Sequence, residues 1–160
     1  MEVDLVFRTL AAFARASADL YLSWAEAFGD DREAAALWGK MATEETGHAN
    51  LVAYQRRVLK KSARLTGDVE AAMEEITMPI GIVGRALERP SHSLDEAVRL
   101  AVWMEGSASG SELQGALVRS NPEVQRLLGH LGADDRAHVQ RLKDFAVRRA
   151  IPLLSAPGSG

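Results

Sequence analysis

The chain of 160 residues has no cysteine. That excludes disulfides, thiolate metal sites and any iron centre built on four cysteines. Long hydrophobic runs are missing too, and none approaches the ~20 apolar residues that span a bilayer. The opening Met1-Glu2-Val3-Asp4 lacks the basic region and apolar core of a secretion signal, so a cytoplasmic location is the expectation. Strand signals are scarce: β-branched residues are few, and no hairpin dipeptide separates alternating runs. A net charge of −3 argues neither for nucleic acid nor for an anionic membrane surface as partner. No phosphate loop, Ser/His/Asp arrangement or paired-acid hydrolase pattern is visible.

What is present is abundant Ala and Leu in long helical patterns. With 47% hydrophobic and 26% charged residues, the composition suits one globular domain with a full core. A first helix is expected from about Val3 to Phe28, with an apolar stripe of Val6, Leu10, Phe13, Leu20, Tyr21, Trp24 and Phe28 interrupted by Ser17. Gly29-Asp30-Asp31 supplies a stop and a new N-cap, and a second helix follows to about Leu65. Asp68 to Ser91, punctuated by Pro79, Gly81, Gly84 and Pro90, reads as a long crossover with one or two short helices. Ser93 and Glu96 have capping-box spacing and open a third long helix to about Arg119. A turn at Asn121-Pro122 leads into a fourth, to about Arg149. The expectation is an all-α, antiparallel four-helix bundle over residues 1–152, with the long crossover between its second and third helices. Residues 153–160, ending Ser155-Ala156-Pro157-Gly158-Ser159-Gly160, read as a flexible tail.

Two short motifs carry the chemistry. Glu45-Thr46-Gly47-His48 and Asp135-Arg136-Ala137-His138 each place an acid three residues before a histidine, and they lie 90 residues apart. At that spacing both side chains leave one helix face, about 60° apart around the axis. A carboxylate and an imidazole so placed can bind one transition metal together. The surrounding stripes are otherwise apolar, where an ionisable group costs several kcal/mol unless paired or coordinated. Shifting the chain by 90 also lays Leu37 on Leu127 and Met41 on Leu131, as in a duplicated hairpin. Glu105 precedes the turn at Asn121 by 16 residues and Asp135 follows it by 14, so an antiparallel pair brings them level.

The first helix does not complete the pattern. Between Asp4 and Asp19 it has no acidic residue, and Asp19 lies off the face. The position level with Glu105 falls among Phe13, Ala14, Arg15 and Ser17. An inward Arg15 would bring a guanidinium among the carboxylates.

On these residues the chain, from about Leu5 to Arg148, resembles the erythrin-type domain of the rubrerythrin and ferritin-like superfamily. Tyr21, near an aromatic position common on that family's first helix, adds to the likeness. The resemblance implies a di-iron carboxylate site in which Glu45 and Asp135 bridge, His48 and His138 bind through nitrogen, and Glu105 is a terminal carboxylate. It implies non-haem iron chemistry on peroxide or dioxygen. The sequence departs from the family in lacking the first-helix Glu and in having Asp where Glu is usual at 135. One metal per chain at most is therefore expected, Fe or else Mn or Zn, in a protein that forms a homo-oligomer. The alternative is a metal-free, non-catalytic helical bundle acting as an interaction or structural protein, with the acids and histidines in a buried hydrogen-bond network. Outside this group, His92 reads as a solvated loop residue, Trp24, Trp38, Trp103, Phe13 and Met41 as core, and Glu112 as a partner for His130. The Arg56-Arg57 and Lys60-Lys61 cluster reads as a solvated face at a helix C-terminus.

Overall fold

The computed structural model describes residues 3–59, 69–89, 92–109 and 122–153. Five helices lie in these stretches: α1 (Val3–Ala27), α2 (Arg32–Leu59), α3 (Val69–Glu88), α4 (Leu94–Ser109) and α5 (Pro122–Arg148). No strand occurs among the described residues, and the protein is all-α. The expected ends of the second and third long helices, the turn at Asn121, Lys60-Lys61, Glu112 and the tail from Leu154 fall outside the described residues. None of the described helices is long and apolar enough to cross a membrane.

α1 and α2 are joined by four residues and pack along each other extensively. The link closes with the Asp31 N–H donating to the Phe28 carbonyl at 3.0 Å. The Asp31 carboxylate then accepts from the Ala34 N–H at 3.1 Å, the N-cap expected for α2. α4 begins with the reciprocal box read from the sequence: the Glu96 N–H donates to Ser93 Oγ at 3.2 Å, and the Ser93 N–H to Glu96 Oε2 at 3.0 Å. α4 packs on α5, α3 on α1 and α4, and α2 touches α5.

The segment read as irregular holds a single helix of 20 residues that runs through Pro79. An interior proline removes one hydrogen bond and costs about 3 kcal/mol. Here Pro79, Val83 and Ala86 form a buried stripe, and packing against the neighbouring helices outweighs the local break. The core joins Leu20, Tyr21 and Trp24 of α1 to Trp38 and Met41 of α2, Val98 and Met104 of α4, and Leu142 and Phe145 of α5. Each such side chain contributes roughly 1.5–3 kcal/mol on full burial. At the C-terminal end of α5, Arg148 and Arg149 reach Glu33 and Asp31, fastening α5 to the start of α2. Ile151 folds back into the core and donates its N–H to the Ala146 carbonyl at 2.9 Å.

Candidate metal centre

Three helices bring their interrupting acids and one histidine to a single place. Glu45 comes from α2, Glu105 from α4, and Asp135 and His138 from α5. One ligand atom of each lies within 4.8 Å of all the others. Glu45, Glu105 and His138 are buried and Asp135 is half-buried. His138 Nδ1 is 3.2 Å from both Glu45 Oε1 and Glu105 Oε2. Donor atoms that share one ion at about 2.1 Å stand roughly 3.0–3.4 Å apart, so this spacing suits common coordination. Glu45 Oε1 is also 3.3 Å from His48 Nδ1, yet neither imidazole is aligned to hydrogen-bond to it, and it is a buried oxygen with no hydrogen-bond partner. Carboxylate oxygens and an imidazole are donor types that suit Fe, Mn or Zn, and a buried carboxylate oxygen without a hydrogen-bond donor is free to serve as such a donor.

His48, the fifth residue singled out from the sequence, stands outside the mutual group. Its ring stacks on that of His138, with centroids 5.4 Å apart and planes 26° from parallel. The far nitrogens of the two rings meet carboxylates of the opposite half. His138 Nε2 lies 2.8 Å from Glu44 Oε2, and His48 Nε2 lies 3.1 Å from Asp134 Oδ2. Arg141 clamps Glu44 from outside, at 2.6 Å to Oε2 and 3.2 Å to Oε1. These residues line a cleft of about 270 Å³. In a neutral ring, a carboxylate on Nε2 favours the tautomer with its proton there, which makes Nδ1 the nitrogen with a lone pair to offer. Glu44, Asp134 and Arg141 were not legible as site residues. The acidic doublets Glu44-Glu45 and Asp134-Asp135, matched under the shift of 90, were the available signal.

α1 contributes no carboxylate. Arg15 is exposed, so the guanidinium considered above does not enter the cluster, because α1 turns Ala14 and Ser17 inward instead. Ser17 Oγ is buried without a hydrogen-bond partner. One turn on, Tyr21 is fully buried and its phenol donates to Glu105 Oε1.

The charged groups of the cluster strongly influence one another's protonation. Burial opposes the charge on His138, but the Glu105 and Glu45 carboxylates outweigh it and push its pKa up to about 10. Burial likewise opposes His48, whose contacts with Glu45 and Asp134 raise it to about 9. Asp135 is pushed up to about 7, first by burial and then by repulsion from Glu105 and Glu45. Burial also raises Glu105, against the pull of His138. Glu45 is held below its ordinary value despite burial, by His138 and His48.

His92 is not the solvated residue its loop position suggests. It is half-buried, and Nδ1 accepts from Trp24 Nε1 at 3.3 Å. His130 is exposed. No protein-family model, curated protein or solved structure matches this chain.

Proposed function

We propose that the protein binds one transition-metal ion per chain, Fe or else Mn or Zn, through Glu45, Glu105, Asp135 and His138. The observation that carries this reading is the convergence of three carboxylates and an imidazole from three helices at one place, with Glu45 Oε1 buried and lacking a hydrogen-bond partner. The reading extends to a ferritin-like four-helix bundle of the rubrerythrin type. In it α1–α2 and α4–α5 are the two hairpins and α3 lies in the crossover. The packing of α1 on α2 and of α4 on α5 supports that arrangement. A bound redox ion would supply one-electron chemistry toward peroxide or dioxygen, which makes a non-haem iron oxidoreductase the activity to test. The chain's own residues do the rest: Glu44 holds His138 with Nδ1 toward the cluster, and Tyr21 holds Glu105. With no carboxylate from α1, one ion is the expected capacity.

The second reading is a metal-free bundle in which the same groups form a closed charge network. The proximity of Glu45 and Glu105 to His138, and the Tyr21–Glu105 bond, favour it. Elemental analysis of protein purified without a metal-affinity tag, followed by melting with added Fe²⁺, Mn²⁺ or Zn²⁺, separates the two. About one equivalent of metal and a rise in melting temperature are expected. Protein that holds no metal and melts unchanged with all three ions is the structural bundle.

A further inference from the structure

Tyr21 ends a run of aromatic rings that leads away from the carboxylate cluster. Its ring is stacked on Trp38, with centroids 5.6 Å apart and planes 21° from parallel. Trp38 meets Trp24 edge-on at 4.8 Å, and Tyr21 also meets Trp24 directly at 5.8 Å. Trp24 in turn packs edge-on against the half-buried His92 at 5.5 Å. Burial of large aromatic side chains accounts for their packing, but not for their polar ends. The Tyr21 O–H points at a carboxylate, Glu105, and the Trp24 N–H points at an imidazole nitrogen, His92 Nδ1. Both oxidisable rings therefore have a base in hydrogen-bond contact, ready to take the proton that a phenol or an indole releases on losing an electron. Trp38 differs: its Nε1 is buried without a partner, so it can pass an electron but cannot release a proton.

We propose that Tyr21, Trp38, Trp24 and His92 form a one-electron transfer route between the carboxylate cluster and the His92 end of the protein. A one-electron oxidant in solution takes an electron from Trp24, and the Nε1 proton passes to His92 Nδ1. Tyr21 then gives an electron to Trp24, directly or through Trp38, and its phenolic proton goes to Glu105. Trp24 recovers its proton from His92. The oxidant has gained one electron, Tyr21 has become a neutral radical, one proton has moved to Glu105, and Trp24 and His92 are restored. The use of such a route rests on the metal reading, since it ends on a proposed ligand. The transfer itself needs only the aromatic rings and their two bases.

The test uses the full-length, metal-free protein. Tyr54 is exposed and is the second of the chain's two tyrosines, so Tyr54→Phe leaves Tyr21 as the only one, fully buried from direct attack. Azide radicals made by pulse radiolysis serve as the one-electron oxidant and are reduced to azide. In that background the tryptophanyl absorption should decay as a tyrosyl absorption rises, at a rate independent of protein concentration. Adding His92→Phe should slow the rise at least about tenfold, as removal of a positioned proton acceptor does. Adding Glu105→Gln should slow it similarly while leaving the tryptophans and His92 in place, which covers the case of a His92 variant that does not fold. No tyrosyl rise, a rise that depends on protein concentration, or an unchanged rate in the folded variants overturns the route. Metal binding by the same Tyr54→Phe chain is measured separately. Binding without transfer removes only the route, and transfer without binding removes only the metal reading.

Discussion

His48 and His138 stack at 5.4 Å and are held from outside by exchanged partners, Glu44 of α2 on His138 of α5 and Asp134 of α5 on His48 of α2. Two imidazoles this close repel if both are protonated. Carboxylates at both ends of each ring are what make the stack tolerable: Glu45 lies against both Nδ1 atoms, and the exchanged acids against the Nε2 atoms. The halves of the chain are thus interlocked at the level of the cluster, and the near-twofold pattern in the sequence has a direct counterpart in the contacts.

The interlock is not symmetric in what it offers a metal. His138 belongs to the mutual group of donors and His48 does not. Glu105→Ala should therefore abolish tight metal binding, whereas His48→Ala should leave one ion bound with affinity lowered by about 10–100-fold, the usual cost of losing a supporting residue. Isothermal titration with Zn²⁺ or Mn²⁺ measures both. Two ions per chain retained against chelator would contradict the asymmetry.

Stability of the metal-free protein should fall as pH rises. Histidines 48 and 138 have folded pKa values raised to about 9 and about 10 from 6.5, so their contribution is complete below 6.5 and is lost as pH climbs through those values. Asp135, raised from 3.8 to about 7, acts in the same direction, because the folded state keeps its proton more readily and the penalty is complete above about 7. Glu44 and Glu45, both lowered, work the other way and lose their contribution only in acid below the ordinary value of 4.5. Urea denaturation of metal-free protein should show declining stability between about pH 7 and about pH 10. The rise in melting temperature on adding metal should grow over neutral pH, since ligands must lose protons to bind. A metal-free stability that increases over the alkaline range would refute the assignment of these charges.

Helical content and the residues of the candidate site, His48 beside it included, were legible because their signals are local. An acid and a histidine interrupting an apolar stripe mark Glu45, His48, Asp135 and His138, and counting from the turn marks Glu105. Arg141 and Glu44 are 97 residues apart in sequence, and each alone looks like a solvated charge at the edge of its helix. Only the placement of α5 against α2 makes them a clamp. Pro79 misled for the complementary reason, since a strong local breaker was outweighed by burial of the stripe that contains it. The partner of His92 had a chemical signal that spacing does not carry: a buried indole N–H such as that of Trp24 needs an acceptor.

The turn after α5 lies outside the cluster. Ala150 follows α5 with φ of 52°, a left-handed conformation that glycine adopts freely and alanine does not. The Ala150 N–H donates to the Val147 carbonyl at 3.2 Å and the next residue, Ile151, is buried, so the chain is held in this turn. Ala150→Gly should stabilise the protein by roughly 0.5–1 kcal/mol, the strain relieved less the added freedom of the unfolded chain. Urea denaturation reads the gain, and metal binding should not change. A loss of stability would show that the unfolded-state term dominates at this position.

The exchanged acids should differ in weight although they occupy matched positions. Glu44 is half-buried, bonded to Arg141 through both oxygens and 2.8 Å from a histidine inside the donor group. Asp134 is exposed, and its histidine stands outside that group. Replacing Glu44 with Gln removes the charge that favours Nε2 protonation of His138 and leaves Arg141 without its anion. Glu44→Gln should therefore lower metal affinity by about 10–100-fold. The metal-free protein should also lose about 1–3 kcal/mol, the cost of a broken charge-assisted bond in a partly buried place. Asp134→Asn should change both quantities much less, because solvent can replace an exposed carboxylate at the outer nitrogen of His48. Metal titrations and urea denaturation of the two single variants and the double variant give the comparison. Equal losses from both single variants would mean that His48 supports the ion as directly as His138, and the cluster would then have to be redrawn with His48 among the ligands.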